Sequence, residues 1–536
     1  MRRVFRWSLI GSAGLVVVVY LIACGYIALP FGWTVNFPGF HGDPLSDQQL
    51  RSRVKLPDGF SVNTYASGID NARFLLFTSS GDLLVSAPRQ GKVFLVQRDA
   101  DGDGRADGQR VLLDHLYQPH GLAYRDGWLY VAETNGVLRV RFDPATGAVT
   151  GTPERIISDL PDDGEHWTRT IHIGPDGKLY VSVGSTCNAC IEADKRRAAI
   201  LRYALDGSGE EVYASGLRNA VDFGWQPGTG AMYATDNGRD LLGDDFPPCE
   251  FNRIVLGGFS GWPFANGDRV PDPDVGAGHA AEIAASIPPT HAFAAHVAPL
   301  GMTFYEPPTG TAPAAFPPAY DGAAFVAQHG SWNRSKKSGY QVVALHFQPD
   351  GSITEEPFAT GFMIDEKVSG RPVDVAVGPD GALYVSDDFT GSIYRIAYGR
   401  PAAPAAAPVA RATIGGDPFA GLAPDQDTAA AAPSCCATSR MEARRRSTQP
   451  ACATRWGSIG SRAPAPSTRP TTAATCSATT SHPASSIGSC AGGSTAGRSR
   501  TAIGCPIPSS ARATRPRSLR RSLRRTPSPP TTHRSA

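Results

Sequence analysis

A histidine next to a carboxylate is the clearest candidate for proton transfer in this sequence. His166 follows Glu165 in a Gly-Glu-His-Trp-Thr-Arg segment. A neighbouring negative charge supports the imidazolium that forms when a histidine takes up a proton, so the pair predicts a general base. His120, in a Gln-Pro-His-Gly segment, competes for the same role. An ordinary surface loop is the alternative for either histidine.

Basic and amide side chains recur at similar positions along the chain. Arg218 and Asn219 are adjacent, Arg334 ends a Ser-Trp-Asn-Arg segment, and Arg371 lies in a Ser-Gly-Arg-Pro segment. Guanidinium groups bind carboxylates through paired hydrogen bonds, and amides bind carbonyl groups. Each segment alone is compatible with a surface salt bridge. Together they indicate one anionic, carbonyl-rich ligand.

Two acidic stretches have the composition of calcium loops. The first covers residues 235–252, where turn carbonyls alternate with acidic side chains. The second has acidic residues at alternate positions, namely Asp99, Asp101, Asp103 and Asp107. Oxygen ligands at such spacing suit Ca²⁺, although Arg110 stands where an EF-hand has its glutamate. A solvated acidic loop and an Asp/Gly-rich hairpin are the alternatives.

A short sequence motif, called the repeated phrase below, recurs six times between residues 56 and 398. The strands that it predicts would position these side chains. Each copy places a glycine turn between alternating apolar runs, which predicts two antiparallel strands. The turn glycines are Gly81, Gly127, Gly177, Gly230, Gly322 and Gly381. Their spacing predicts an all-β fold, a six-bladed β-propeller over residues 50–399. The longest interval predicts an insertion between the fourth and fifth units, around residues 240–300.

The first 32 residues have the pattern of an export signal. Three arginines precede an apolar run from Trp7 to about Phe31. This arrangement predicts a signal that stays as an inner-membrane anchor, with the propeller in the periplasm. A lipobox-like Leu-Ile-Ala-Cys sequence ending at Cys24 leaves a lipoprotein signal as the alternative.

The last quarter of the chain has a different composition. Residues 400–413 form an Ala/Pro linker, and residues 414–536 are rich in Ala, Ser, Thr, Arg and Pro. Such a segment buries too little apolar area to offset its chain entropy. It is interpreted as a low-complexity tail, either disordered or translated out of frame from a region that encodes a cytochrome c domain.

Overall charge and the cysteine pattern argue against a nucleic-acid-binding protein and against c-type haem attachment. The formal net charge is +2 and charged residues make up 19% of the chain, which argues against a nucleic-acid-binding protein. Cys187 and Cys190 form a C-x-x-C motif without a following histidine, so c-type haem attachment is excluded. In an exported protein this spacing indicates a local disulfide.

The ordered motifs resemble one known family. The Glu165-His166 segment, the Arg218-Asn219 segment, residues 236–252 followed by Gly-Trp-Pro, and Arg371 before an alternating strand occur in the same order in the quinoprotein glucose/sorbosone dehydrogenases. Those enzymes are six-bladed propellers that bind pyrroloquinoline quinone (PQQ). The Ser-Thr-Cys-Asn-Ala-Cys segment at residues 185–190 looks most like the sorbosone dehydrogenase branch.

The resemblance implies a role for each candidate. His166 falls where the family has its catalytic base, and Arg218, Asn219 and Arg371 fall on cofactor-binding positions. Arg334 is the candidate for a further cationic contact with the cofactor. The carbonyls of Gly238 and Arg239 fall where the family holds its Ca²⁺. Val373 replaces a second arginine found in glucose-specific members, so glucose itself is a less favoured substrate.

The expected function is oxidation of an aldose or a sugar aldehyde such as sorbosone, with hydride transfer to PQQ assisted by Ca²⁺. The expected electron acceptor is a cytochrome c or a membrane quinone. The alternative is a non-catalytic sugar-binding propeller or a Ca²⁺-dependent propeller lactonase.

The orientation of the chain across the membrane is testable. A reporter that is active only in the cytoplasm, fused after residue 50, is expected to be silent, because the arginines before the apolar run stay inside. The same reporter fused to a chain that lacks residues 1–32 is the control and should be active. A strong signal from the first fusion contradicts the predicted topology.

Overall fold

The computed structural model describes residues 41–310 and 312–399. The predicted signal or anchor at residues 1–32, the linker at 400–413 and the tail at 414–536 lie outside the described residues. Among the described residues, no helix has the length and apolar character needed to cross a membrane.

Six sheets form the blades, and each contains four antiparallel strands; the sheet of blade 3 gains a fifth, parallel strand from an insertion described below. Blade 1 contains β2 (Leu75–Phe77), β3 (Leu83–Ala87), β4 (Lys92–Gln97) and β5 (Gly108–Leu113). Blade 2 contains β6 (Leu122–Arg125), β7 (Trp128–Glu133), β8 (Gly136–Asp143) and β9 (Ala148–Ile157). Blade 3 contains β10 (Ile171–Ile173), β11 (Leu179–Val183), β12 (Ala199–Tyr203) and β13 (Glu211–Ser215).

The remaining blades follow the same order, with one strand taken from the start of the chain. Blade 4 contains β14 (Phe223–Trp225), β15 (Met232–Asp236), β16 (Pro248–Ile254) and β20 (His291–Ala295). Blade 5 contains β21 (Pro299–Phe304), β22 (Ala324–Gln328), β23 (Gln341–Phe347) and β24 (Ile353–Ala359). Blade 6 contains β27 (Pro372–Val377), β28 (Leu383–Asp387), β29 (Ser392–Tyr398) and β1 (Phe60–Ser67).

Blade 6 closes the ring, because its outer strand β1 comes from the beginning of the described chain. β1 pairs antiparallel with β29, from Phe60 opposite Tyr398 to Ser67 opposite Ser392. The first strands of blades 6 and 1, β27 and β2, also contact each other. Before β1, helix α1 (Asp47–Arg53) buries Leu50 in the core between blades 5 and 6. The predicted six-bladed propeller is confirmed.

The repeated phrase marks the turn between the first and second strands of each blade. All six predicted turn glycines have φ between 66° and 92°. This left-handed backbone conformation carries no steric penalty for glycine, which explains why the phrase is the part of each blade that recurs in the sequence.

The predicted insertion lies inside blade 4 and not between two blades. The additional elements are β17 (Gly258–Phe259), β18 (Ala265–Asn266), β19 (Val270–Pro271) and α2 (Ala280–Ala285). They separate the third strand of blade 4 from its fourth strand, and β17 pairs in parallel with β13 of blade 3. The repeated phrase marks only first and second strands, so it could not locate the fourth. A second short hairpin, β25 (Met363–Ile364) and β26 (Lys367–Val368), precedes blade 6.

Strand direction assigns every loop to one of two faces. At one face of the ring, the first strand of each blade begins and the second strand is joined to the third. We call this the upper face. Loops that join first to second strands, and third to fourth strands, lie on the opposite, lower face. Because every blade is antiparallel, segments distant in sequence converge on the upper face.

The innermost strands leave little space where two blades meet. Gly301 in β21 lies so close to blade 6 that a Cβ atom there would be 2.6 Å from the Cα of Asp374. Gly224 in β14, the innermost strand of blade 4, has open space instead, with its nearest neighbour 3.7 Å away at Met302. Blades 5 and 6 can therefore approach only if position 301 has no side chain.

This pair of glycines gives a matched test of the packing. Gly301→Ala is expected to lower the free energy of unfolding by about 1–3 kcal/mol, since the added methyl group displaces backbone. Gly224→Ala is expected to change it by less than about 0.5 kcal/mol. Guanidinium titration of both variants measures the difference. Equal effects would contradict the close approach of the two blades.

Candidate active site

A pocket with about 620 Å³ of space free of protein atoms opens on the upper face. Twelve residues line it, drawn from loops of blades 3, 4 and 5. The polar members used below are His166, Arg218, Asn219, Gly238, Asp240 and Asn333. The structure therefore brings together the predicted base, two predicted cofactor-binding residues and one predicted calcium ligand.

His166 is held with one ring nitrogen bonded and the other free. Its Nδ1 lies 2.9 Å from the carbonyl oxygen of Ser185 and 3.0 Å from the Ser185 Oγ. A carbonyl oxygen only accepts hydrogen bonds, so Nδ1 carries the proton. Nε2 has no hydrogen bond among the described residues, and its lone pair is available to a ligand.

Burial and positive charge keep His166 neutral. Desolvation, followed by the nearby cations Arg218, Arg197 and Arg169, lowers the pKa of His166 from its usual value of 6.5 to about 3. The imidazole is therefore unprotonated at neutral pH. In this state Nε2 can accept a proton and, because the pKa is low, release it readily afterwards.

Glu165 does not support His166 as the sequence predicted. Its side chain is exposed and makes no hydrogen bond to His166 among the described residues. Its backbone N–H donates to the carbonyl of Thr186, 2.9 Å away, which anchors the loop. The chain bends at Gly164 and Glu165, so adjacency in sequence does not bring the carboxylate to the ring of His166. Ser185 takes the expected place of the carboxylate beside the ring.

Arg218 is buried and its five N–H donors are all used within the protein. Nε donates to the carbonyl of Asn188 at 3.0 Å. Nη1 donates to the carbonyls of Asn237 and Gly238 at 3.3 and 3.1 Å. Nη2 donates to Asn188 Oδ1 at 2.9 Å and to Asp240 at 2.7 Å. The guanidinium thus contributes a fixed positive charge to the pocket and orients the loop after β15.

The backbone at Arg218 is fixed by a buried carboxylate. Asp236, at the end of β15, accepts the N–H groups of Arg218 and Asn219 at 3.0 and 2.6 Å. Burial, followed by the charge of Glu250 opposite it in β16, raises the pKa of Asp236. Burial also raises the pKa of Glu250 to about 7. Asp236 and Glu250 thus support the wall of the pocket from its buried side.

Asn219 has hydrogen-bonding capacity that the protein leaves unused. Its Oδ1 is buried and has no partner among the described residues. The space around it exists because position 184 is glycine, where a Cβ would lie 2.6 Å from that of His166 and 2.7 Å from Asn219 Oδ1. Asn219 is therefore positioned to contact a ligand that also reaches His166.

Arg371 lies on the same face, beside the centre of the ring. Its Nη2 is 2.8 Å from Nδ1 of His329, whose Nε2 is 2.9 Å from Asp388. Burial lowers the pKa of Arg371, and burial together with Arg371 lowers the pKa of His329 to about 4. Arg371 is absent from the pocket lining, although it lies on the same face as Arg218, so its predicted contact with the same ligand stays a prediction.

The loop that carries Arg334 reaches the pocket through other residues. Trp332 and Asn333 line the pocket. Arg334 instead binds Asp245 at 3.0 Å and the carbonyl of Asp244. The structure therefore places Arg334 beside the pocket, with its charge already paired.

The two predicted calcium carbonyls have different surroundings. The Gly238 carbonyl faces Arg218 at the pocket, as described above. Arg239 directs its side chain away, into ion pairs with Asp272 and Asp274. The Gly238 carbonyl already accepts a hydrogen bond from the Arg218 guanidinium at 3.1 Å, so the structure gives no independent support for a cation at this oxygen.

The second predicted calcium loop lies on the lower face, between the third and fourth strands of blade 1. Carboxylate oxygens of Asp99, Asp101 and Asp107 lie within 4.8 Å of one another. Asp103 is outside that group, and its Oδ1 accepts the N–H of Arg105 at 2.8 Å. Burial raises the pKa of Asp99. This loop is separate from the pocket.

His120 is enclosed and does not line the pocket. It is 0% exposed, with Nδ1 3.3 Å from Thr170 and Nε2 3.5 Å from Arg73. Burial and Arg73 lower its pKa well below the usual value. Of the two histidines, His166 has the access that a base requires.

The sequence did not identify Ser185 or Asn188 as site residues, and it included Asp240 only within the predicted calcium stretch at residues 235–252. They follow the second strands of blades 3 and 4, and their contacts reach residues about 20–50 positions away. Their position in the chain could have indicated them, since each lies just after the second strand of a blade, where an upper-face loop begins. The predicted Cys187–Cys190 disulfide is present and encloses Asn188.

The fold and this pocket define a propeller with a neutral histidine beside buried cations. The TrAA12-like family model matches residues 54–246 and 277–399, more than half of the chain. The chain therefore belongs to the TrAA12-like family. The resemblance to PQQ-dependent dehydrogenases that the motifs indicated is confirmed at the family level.

Two relatives illustrate the similarity in sequence. An uncharacterized protein of Borreliella burgdorferi is 29% identical over 66% of this chain and 93% of its own. The pyrroloquinoline quinone-dependent pyranose dehydrogenase of Coprinopsis cinerea is 23% identical over 65% of this chain. The match spans 55% of that enzyme, about half its length.

Two solved structures share the fold. The calcium structure of a Trichoderma reesei family AA12 carbohydrate-active enzyme has a TM-score of 0.57 and 22% identity, over 65% of this chain and 97% of the other. The holo form of the PQQ domain of the Coprinopsis cinerea pyranose dehydrogenase has a TM-score of 0.55 and 22% identity, over 67% and 98%. This likeness shows the propeller architecture.

The protonation state of His166 can be measured directly. In histidine-labelled protein, the His166 resonance is expected to show the Nδ1–H form and to stay unchanged from pH 8 to pH 5, because its pKa is about 3. Since the unfolded chain takes up this proton near pH 6.5, the group also costs stability as the pH falls from 6.5 towards 3. His166→Gln assigns the signal. A midpoint near 6.5 would contradict the described environment.

Proposed function

We propose that this protein is a quinoprotein dehydrogenase that oxidises an aldose or a sugar aldehyde of the sorbosone type. The observation that carries the proposal is the neutral His166, with Nε2 free in a pocket shared with Arg218 and Asn219. Membership of the TrAA12-like family and the PQQ dependence of the matched Coprinopsis cinerea enzyme support the cofactor.

The residues present fit PQQ. The cofactor is a planar tricarboxylate with a quinone, so its site needs positive charge and hydrogen-bonding groups. Arg218 and Arg371 supply positive charge at the upper face, and Asn219 has an unused side-chain group in the pocket. Trp332 adds an aromatic surface at the pocket edge. When bound, PQQ supplies a two-electron acceptor for the hydride of the substrate.

The role of His166 follows from its hydrogen bonds. Ser185 holds Nδ1–H, so Nε2 faces the pocket as the only basic atom of the ring. Nε2 takes the hydroxyl proton of the alcohol or hydrated aldehyde as the substrate is oxidised. The fixed charge of Arg218 disfavours a long-lived imidazolium, so the proton is passed on to the solvent at the mouth of the pocket.

A sugar substrate is supported by a second unused acceptor. Asn333 lines the pocket, and its Nδ2 donates to Asp240 at 3.0 Å, which fixes the orientation of the amide. Its Oδ1 is buried without a partner among the described residues. A buried acceptor of this kind is stabilised by a donor, and sugar hydroxyls are donors.

Calcium is part of the proposal. The carbonyls of Gly238, which lines the pocket, and of Arg239, which follows it in the chain, are the proposed ligands of a cation that would stabilise negative charge on a bound quinone. Asp99, Asp101, Asp103 and Asp107 are proposed as a second, structural site on the lower face. A cytochrome c or a membrane quinone is the proposed electron acceptor in the periplasm.

Reconstitution tests the proposal. The purified apoprotein is expected to reduce a redox dye with an aldose or sugar aldehyde only after PQQ and Ca²⁺ are added, and chelation should reduce the rate. Dye reduction without PQQ, or PQQ binding without turnover on any aldose or aldehyde, contradicts it. A lactonase or a sugar-binding protein gives no dye reduction.

Variants in the same assay separate binding from chemistry. His166→Gln should lower turnover by about 10²–10⁴-fold while PQQ affinity survives, because the base is lost and the cations remain. Arg371→Ala should weaken PQQ retention first. Glu165→Gln, at an exposed carboxylate, should keep near-normal turnover. If His120→Ala abolished activity and His166→Gln did not, the assignment of the base would be wrong.

A further inference from the structure

A small ring closed by a disulfide borders the pocket. Cys187 and Cys190 are bonded in the loop that joins β11 to β12 on the upper face. The ring encloses only Asn188 and Ala189, so the backbone at Asn188 is restrained by a covalent link. The proton transfer proposed for His166 does not by itself account for this ring.

Asn188 makes five contacts with groups at the pocket. Its backbone carbonyl accepts from Arg218 Nε at 3.0 Å and from Trp262 Nε1 at 3.4 Å. Its side-chain Oδ1 accepts from Arg218 Nη2 and from the N–H of Asp240, both at 2.9 Å. Its Nδ2 donates to the carbonyl of Asp240 at 3.1 Å. One residue thus accepts from two nitrogens of the guanidinium, Nε and Nη2, and binds both backbone groups of Asp240.

The same loop also contacts the proposed base. Ser185 Oγ donates to the carbonyl of Cys187 at 2.7 Å, and the Ser185 carbonyl accepts the His166 Nδ1 proton. Thr186 is bound twice by Glu192, at 2.6 and 2.7 Å, which ties the segment before the ring to the segment after it. The ring therefore connects the base and the buried cation through a few hydrogen bonds.

We propose that Asn188, restrained by the Cys187–Cys190 disulfide, is a positioning residue that fixes Arg218 and Asp240 for cofactor binding. The inference rests on the proposed function. Two of the five N–H groups of Arg218 have Asn188 as their acceptor, and removal of its side chain releases one of them, on Nη2, together with the backbone N–H of Asp240. Opening the ring frees the carbonyl that holds Nε.

PQQ affinity is the first measurement. Titration of PQQ into the apoprotein with Ca²⁺, followed by quenching of tryptophan fluorescence, is sensitive because Trp332 lines the pocket. Asn188→Ala is expected to weaken PQQ binding by about 10–100-fold, the effect of losing a hydrogen bond to a charged group. The paired Cys187→Ser, Cys190→Ser variant should weaken it as well. Treatment of the wild type with a phosphine reductant, which converts the disulfide to two thiols, should reproduce that loss.

Ile191→Ala is the matched control. Ile191 follows the ring directly, and its side chain is 63% exposed. This variant should bind PQQ as the wild type does, and the reductant should have no effect on the paired serine variant. Thermal unfolding of each variant shows whether it is folded. If Asn188→Ala does not fold, the reductant experiment on the folded wild type takes its place.

A double-mutant cycle distinguishes positioning from general structural support. If Asn188 acts through Arg218, Asn188→Ala should have no further effect on PQQ affinity in an Arg218→Ala background. Additive losses would overturn the proposal, as would wild-type affinity in Asn188→Ala. Loss in Asn188→Ala with wild-type affinity in the paired serine variant would overturn the part assigned to the disulfide.

A readout without cofactor separates this inference from the proposed function. If the wild type fails to bind PQQ, the proposed function is wrong. The positioning of Arg218 by Asn188 is then tested in the apoprotein. There, Asn188→Ala should raise the titration midpoint of His166, since Arg218 is among the cations that keep this histidine neutral. An unchanged midpoint in the apoprotein would overturn the positioning role.

Discussion

Antiparallel alternation within each blade is the constraint on which the site depends. Four strands that alternate in direction leave the start of the first strand and the end of the second on the same face. Six blades repeat this arrangement around one ring, so residues as distant as His166 and Arg371 enter the same face without any direct sequence relation. Closure of the ring by β1 and β29 maintains this convergence, because an open ring would let blades 1 and 6 separate.

The fold was predictable because its signal is local. An Asp-Gly or similar turn between alternating apolar runs requires a left-handed backbone at the glycine, and that requirement recurs in every blade. The outer strands carry no such signal, which explains why the insertion in blade 4 was placed between blades. Strand β20 is recognised only through its pairing with β16, a contact between residues separated by the whole insertion.

The site was predictable in part, for a related reason. Residue type, together with recurrence at similar positions and the order of motifs shared with a known family, was enough to select His166, Arg218 and Asn219. It failed for the partner of His166, because Glu165 is adjacent in sequence while Ser185 is adjacent in space. It also missed Asn188, since an asparagine between two cysteines shows its role only when the loop folds back on Arg218.

The free-energy cost of burying Arg218 links the contacts of Asn188 to the neutral state of His166. Burying a guanidinium is costly unless its donors are satisfied, and here all five have acceptors within 3.3 Å. The positive charge is therefore fixed before any ligand arrives, and the loops do not need to reorganise to form it. That same charge helps to hold His166 neutral, so one buried cation suits the proposed anionic cofactor and keeps the lone pair of Nε2 free. Since Asn188 supplies two of the five acceptors, the proposed roles of Arg218 and His166 are both linked to the ring that encloses it.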